Sequence, residues 1–346
     1  MMANIPQSIK TRLKMLFGKN GVDVTKDITP DLLSFSYSDK ESMEADEISL
    51  TLQDETGKWA GIWKPDGGEV IKAYILPGTV TGAIGRLYCG KFFVDEIGIS
   101  GLPQQIEIKA VSIPLNTPLR KKLKTKAWES KDLKGIAAQI AKNGGLKLVF
   151  DSKINPQYER QDQSRKSDLK FLMDLCEEAG ISMKISDSTL VLFDQSSYED
   201  KKPVATITRG KSDVLSYNFT MAQSDTYKSC TIKYRDPKTR SIIKYTYVDP
   251  DEDENGQEYT MKIRATSKDD AIRLTRAKLR KLNQRQITGD LSVIGNIKML
   301  AGNVIECKNF GKSVDGKYII ENANHSVSGS GGYTTSVSLR KVNSKY

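Results

Sequence analysis

The residues able to do chemistry in this 346-residue chain are few. Its cysteines, Cys89, Cys176, Cys230 and Cys307, lie far apart with no CxxC unit. They provide no compact metal framework and are expected to be lone buried thiols. The single histidine, His325, leaves no histidine-rich zinc site and could serve at most one Ser/His or Cys/His pair. A general base also needs a nucleophile and an orienting group within hydrogen-bond reach. Ser326 and Ser328 are near His325 only in sequence, so a hydrogen-bonded structural histidine is expected. Gly311-Lys312-Ser313 ends like a phosphate loop, but Glu306 stands where the first glycine is needed, so it reads as a turn. Asp251-Glu252-Asp253-Glu254-Asn255-Gly256 matches half of a calcium loop, yet Lys262 occupies the place of the bidentate glutamate. An acidic hairpin tip is expected there. The basic run Arg120–Lys126 and the cations Arg273, Arg276 and Arg280 could hold phosphates. Without interleaved aromatics they form no stacking platform, and read as solvated or intersubunit surface. No catalytic, cofactor-binding or metal-ligating residue is predicted, and the chain is read as a non-enzyme.

The elements around these residues say more. Length predicts two or three domains. With 38% apolar and 28% charged residues the composition is that of a soluble globular protein. A net charge of +10 would suit a polyanionic partner. The sequence has no uncharged apolar run of membrane-spanning length, and Met1–Lys10 carries no secretory signal. Synthesis in the cytoplasm and no membrane insertion by itself are expected. Residues 47–53, 91–97 and 105–111 alternate apolar and polar positions, the period of half-buried strands. Leu133, Ile136, Ala137 and Ile140 then mark a helix, capped by Ser130 and stopped at Gly144. A second helix starts at Ser167 and ends at Gly180, followed by a hairpin of 181–185 with 189–193. The strands 229–234, 241–247 and 258–263 read as a meander, and Ser267 with Asp270 opens a helix to about 285. Two terminal strands, 317–326 and 333–341, close the chain.

The last part also echoes the first. Asp31–Tyr37 sets against Asp213–Phe219, and Ile48–Asp54 against Cys230–Asp236 at the same offset of 182. Gly90–Asp95 sets against Gly316–Glu321 at an offset of 226. The larger offset places extra residues between the blocks, enough for strand length or the 267–285 helix. Order and strand phase agree, and a one-residue slip would invert every side chain. The prediction is a mainly β chain with an α+β insert. Two β-barrel domains, 1–117 and 203–346, flank a small α+β domain, 118–202. A threefold ring of such chains would present six similar units.

Three stretches resemble the phage late control gene D family, the central baseplate hub of contractile tails, tail-like bacteriocins and type VI secretion spikes. They are Gln161–Gly180 with its hairpin, Ala271–Leu282 leading to Gly289-Asp290, and Ala301–Ile305 with Asp315–Ile320 and His325. The resemblance implies tail-tube-like barrels and a homotrimeric symmetry adaptor lining a channel between the sixfold tail tube and a threefold spike. The implied partners are the tube protein, a separate spike chain, other baseplate proteins and the tape measure protein, with no small-molecule substrate. The implied location is the baseplate of a virion or tail-like particle assembled in the host cytoplasm. The alternative reading is a basic nucleic-acid-binding or cell-wall-binding module, the latter resting on residues 118–202.

Overall fold

The computed structural model describes residues 10–342 except 43, 79–84, 115–117, 223–225, 236–239, 250–255, 262, 264 and 266. The first part of the chain forms β1 (Arg12–Phe17), β2 (Val22–Asp23), α1 (Thr25–Ile28), β3 (Leu32–Lys40), β4 (Glu47–Gln53), β5 (Val70–Leu76), β6 (Leu87–Ser100) and β7 (Gln105–Val111). The middle forms α2 (Pro118–Lys121), β8 (Lys124–Asp132), α3 (Leu133–Asn143), β9 (Lys147–Asp151), β10 (Gln157–Lys166), α4 (Asp168–Ala179), β11 (Ser182–Ser186), β12 (Thr189–Phe193) and α5 (Gln195–Glu199). The last part forms β13 (Ala205–Thr208), β14 (Val214–Met221), β15 (Tyr227–Arg235), β16 (Ile242–Val248), β17 (Gln257–Met261), α6 (Lys268–Asn283), β18 (Ile287–Ile294), β19 (Val304–Lys308), β20 (Gly316–Ser328) and β21 (Tyr333–Lys341).

Strand alternation sets the core. In β4 the apolar Ile48, Leu50 and Leu52 are buried, while Ser49 and Thr51 face out. The same alternation in β3, β6 and β7 builds one apolar cluster around Phe35, Tyr37, Phe92, Ile106 and Ile108. A second cluster around Ile305, Tyr318, Ile320 and Leu339 lies under the last strands.

The expected duplication is present in the topology. The first copy runs β3-β4-β7-β6-β5 across the sheet, and the last part runs β14-β18-β21-β20-β19. Chain order and sheet order therefore correspond strand by strand. The irregularities correspond as well. The β3–β4 register shifts between Leu32 and Ser34, and the β14–β18 register between Val214 and Ser216. The β6–β7 register shifts between Val94 and Glu96, and the β20–β21 register between Ile320 and Asn322. Bulges are inherited features of a fold rather than noise. Both fall at the offsets read from the sequence.

Among the described residues neither copy closes into a barrel in its hydrogen-bonding order. Both belong to one open thirteen-stranded sheet, joined where β20 pairs with β3. Cys230–Arg235 is not the counterpart of Ile48–Gln53. That counterpart is β18, and Cys230 lies in β15 of a separate sheet inserted between β14 and β18. Nor is that sheet a meander, because β15 lies centrally, antiparallel to β16 and parallel to β17. Helix α6 covers it through Ala271, Leu274 and Leu279.

The middle unit packs α3 and α4 on the three-stranded sheet β11-β12-β9. Ser167 caps α4, and Gly180 ends it at φ 73°. The cap of α3 is Asp132, whose carboxylate accepts from the Gly135 amide at 2.8 Å. Ser130 instead takes a positive φ within β8. The basic run forms α2 and the start of β8, which pairs with β10.

Candidate functional site

Among the described residues the organised polar chemistry lies at the seams between parts. At the β3–β20 seam His325 stands opposite Tyr37, and their rings stack 5.9 Å apart. His325 Nε2 lies 2.9 Å from the Met299 carbonyl, so that nitrogen carries the proton. Nδ1 then accepts from the Tyr333 hydroxyl at 2.7 Å. Burial pulls the imidazole pKa down to about 4, against the opposing effects of the Met299 carbonyl and Asp39. A neutral ring with both nitrogens occupied inside the core binds two strands together, the structural role read from the sequence.

Two buried ionic knots fasten the middle unit to the sheet. Lys184 of β11 reaches Asp39, Asp46 and the Lys40 carbonyl. Asp39 also accepts from the Ala301 amide, so the knot touches both copies. Burial disfavours the Lys184 ammonium, but Asp39 and Asp46 outweigh it and hold its pKa above the ordinary lysine value. Burial raises Asp46 to about 6 despite Lys184. In the second knot Glu199 of α5 accepts from Arg340 of β21 and pairs with Arg280 of α6, both at 2.8 Å. Arg340 is 1% exposed and also faces Glu321. Sequence reading missed both knots, since each partner looks like an ordinary polar strand or helix residue, and Lys184–Asp39 and Arg340–Glu199 join positions more than 100 apart.

The cations proposed for phosphate are largely committed. Lys124 pairs with Asp168, and Lys126 lies 3.6 Å from the Trp128 ring centre. Arg273 donates to the Ala179 carbonyl and to Asp270, leaving Arg276 as the exposed arginine of the trio. In the phosphate-like turn the Asp315 carboxylate already accepts from the amides of Asn309, Phe310 and Gly311. The first half of the calcium-like loop, residues 251–255, lies outside the described residues. All four cysteines are buried free thiols. Burial raises each one, Cys230 to about 11 and Cys176 and Cys307 to about 12. Among the described residues no group of three His, Cys, Asp or Glu side chains could hold a metal ion, and no helix is long and apolar enough to cross a membrane.

Two surfaces remain. The side of the sheet turned from the core mixes short neutral polar residues with charged ones such as Asp290, Lys40, Glu107 and Lys109. One row runs Ser216, Ser292, Ser336, Asn324 and Ser38 across five adjacent strands. The other surface is a pair of strand edges. Among the described residues β14 pairs only with β18, and Glu96–Ser100 pairs only with β7.

Comparison with known proteins places these features. The family model for the phage tail baseplate hub (GPD) matches residues 115–331. The probable baseplate hub protein of Escherichia phage P2 is 30% identical over 224 residues, covering 62% of this chain and 55% of that protein. The chain thus spans about half the length of the curated relatives it matches. The 43 kDa tail protein of prophage MuSo2 from Shewanella oneidensis shares the fold with a TM-score of 0.72 at 13% identity, over 96% of this chain and 98% of that one. The tail protein from Neisseria meningitidis MC58 gives 0.71 at 13% identity, over 96% and 97%.

Proposed function

The chain belongs to the phage tail baseplate hub family, and from that premise we propose that it acts as a trimeric symmetry adaptor between a sixfold tail tube and a threefold spike. Its place is the baseplate of a phage tail or tail-like particle. One observation carries the reading: two five-strand units of equal connectivity, bulged at equal positions, lie side by side in one sheet. Three such chains offer six similar units to a sixfold neighbour, while the inserted sheet, α6 and the middle unit recur only three times. In this proposal the two units, about 1–117 and 203–346, serve as tube-like domains on either side of the 118–202 domain. The chain performs no catalysis.

The polar face supports the same role. A channel wall has to let charged or extended cargo pass without holding it, and serine, threonine and asparagine offer hydrogen bonds without net charge. The two ionic knots specify how the middle unit sits on the sheet, because any other seating would leave a buried charge without its partner. The partners proposed are a second and third copy, the tube protein, the spike chain, other baseplate proteins and the tape measure protein.

Sedimentation of the full chain, alone and with its tube and spike proteins, tests the proposal. A trimer is expected at high concentration or with the partners present. A monomer under all of these conditions would exclude the adaptor role.

A further inference from the structure

The seam inside the chain is a template for the seam between chains. Resting on the trimeric reading, we infer that β14 of one protomer pairs antiparallel with the Glu96–Ser100 half of β6 from a second copy, in the register that β3 and β20 use within one chain. The two copies correspond strand by strand. Strand β14 is the second-copy equivalent of β3, and β6 is the first-copy equivalent of β20. In β20, Gly316–Cys307 pairing with β19 gives way along the same side to pairing with β3, from Asn322 onward. In β6 that side is covered as far as Val94, whose amide donates to the Glu69 carbonyl and whose carbonyl accepts from the Gly68 amide, and among the described residues it is bare over Glu96–Ser100. The bare stretch is the one that corresponds to β20's contact with β3. The edge of β14 facing away from β18 corresponds to the β3 edge that receives β20.

Carrying the observed pairs over residue by residue gives the register. His325↔Tyr37 becomes Ile99↔Phe219, Ser326↔Ser36 becomes Ser100↔Asn218, and Ala323↔Asp39 becomes Ile97↔Met221. The side chains at this proposed joint behave as an uncovered interface would. Ile99 is 57% exposed and Met221 49%, whereas their seam counterparts His325 and Asp39 are buried. Tyr217 is 41% exposed where its counterpart Phe35 is fully buried. A long open edge with exposed apolar side chains is an aggregation hazard unless another strand covers it. The loop between β18 and β19 adds an independent observation. Its Ile297 and Leu300 reach across the seam onto the first copy's core. The corresponding loop between β4 and β5 instead leaves Ile62 and Trp63 exposed, and a neighbouring second copy is what they would reach. Such a contact is head-to-tail, and a 120° rotation per step closes it after three chains.

The test is cysteine pairing in the full chain carrying Ser100→Cys with Asn218→Cys, both on the exposed polar face. Residues directly opposite in an antiparallel pair stand about 4.5–5.5 Å apart at Cα, within disulfide reach. Mild oxidation at high concentration should convert most of the protein into covalent dimers and trimers. Ser100→Cys with Ser216→Cys is displaced diagonally to about 7–8 Å and should cross-link several-fold less. Ile99→Lys, at an exposed position, should keep the monomer folded by circular dichroism and weaken trimer formation at least tenfold. A trimer by sedimentation with no preference for the Ser100–Asn218 pair would overturn this pairing and leave the trimeric reading standing. A tube-protein strand on β14 in a particle image would also overturn it. No trimer in any preparation would overturn both.

Discussion

Burial of His325 makes one part of the stability of this protein depend on pH. Its pKa is held down to about 4 in the fold, against an ordinary 6.5. The unfolded chain therefore takes up this proton first as pH falls. The contribution is complete above pH 6.5 and is lost between there and about pH 4, amounting to about 3 kcal/mol. His325→Gln should flatten that acid limb, as read by urea denaturation at pH 7 and pH 4.5; an unchanged pH dependence would contradict the assignment. The Lys184 knot makes a second prediction at this scale. Lys184→Met leaves Asp39 and Asp46 buried without their cation and should cost about 3–5 kcal/mol. Asp46→Asn keeps the Lys184–Asp39 pair and removes a carboxylate that has a buried oxygen without a hydrogen bond. It should cost less than half as much, compared by thermal denaturation at pH 7. The histidine's role was legible from composition, because a lone imidazole without a neighbouring nucleophile is a packing group. Lys184 was not legible, because a lysine alternating with apolar residues looks solvated until the fold places two aspartates opposite it.

The same limit operates among the elements. Half-buried strands share one alternation, so Ile48–Asp54 matched the wrong strand of the second copy, although the neighbouring blocks matched the right ones. Strands β8 and β10 escaped notice because most of their residues are polar and exposed. The parallel pairing of β17 with β15 was hidden because strand direction leaves no trace in a short alternating segment. The helix that ends at Gly180 was legible in full, since a left-handed cap demands a residue without a Cβ. That position also carries a packing demand. An added Cβ would lie 2.8 Å from the Ala277 side chain of α6, at a φ of +73°. Gly180→Ala should therefore destabilise the chain by about 1–2 kcal/mol or more, since backbone strain and the α4–α6 contact act together. Chemical denaturation checks it; a neutral substitution would mean that α6 does not pack there.

For the molecule as a whole, the proposed trimer would cover the apolar residues along the free edges of the sheet. The protein's apparent melting temperature should rise with protein concentration, because association adds to stability by mass action. Differential scanning measurements over a hundredfold dilution series would detect this. The polar face predicts a different failure. Ser216→Lys with Ser336→Lys should leave assembled particle numbers unchanged while slowing delivery of cargo, measured as activity per particle. Both effects follow from the same arrangement, in which one chain carries one building block twice beside an insert that occurs once. The most direct measurement is an image of the assembled particle that resolves the ring at the end of the tail tube. Three polypeptides forming six similar units around one axis are expected. Six polypeptides in that ring, or three whose two units do not alternate around it, would contradict the account.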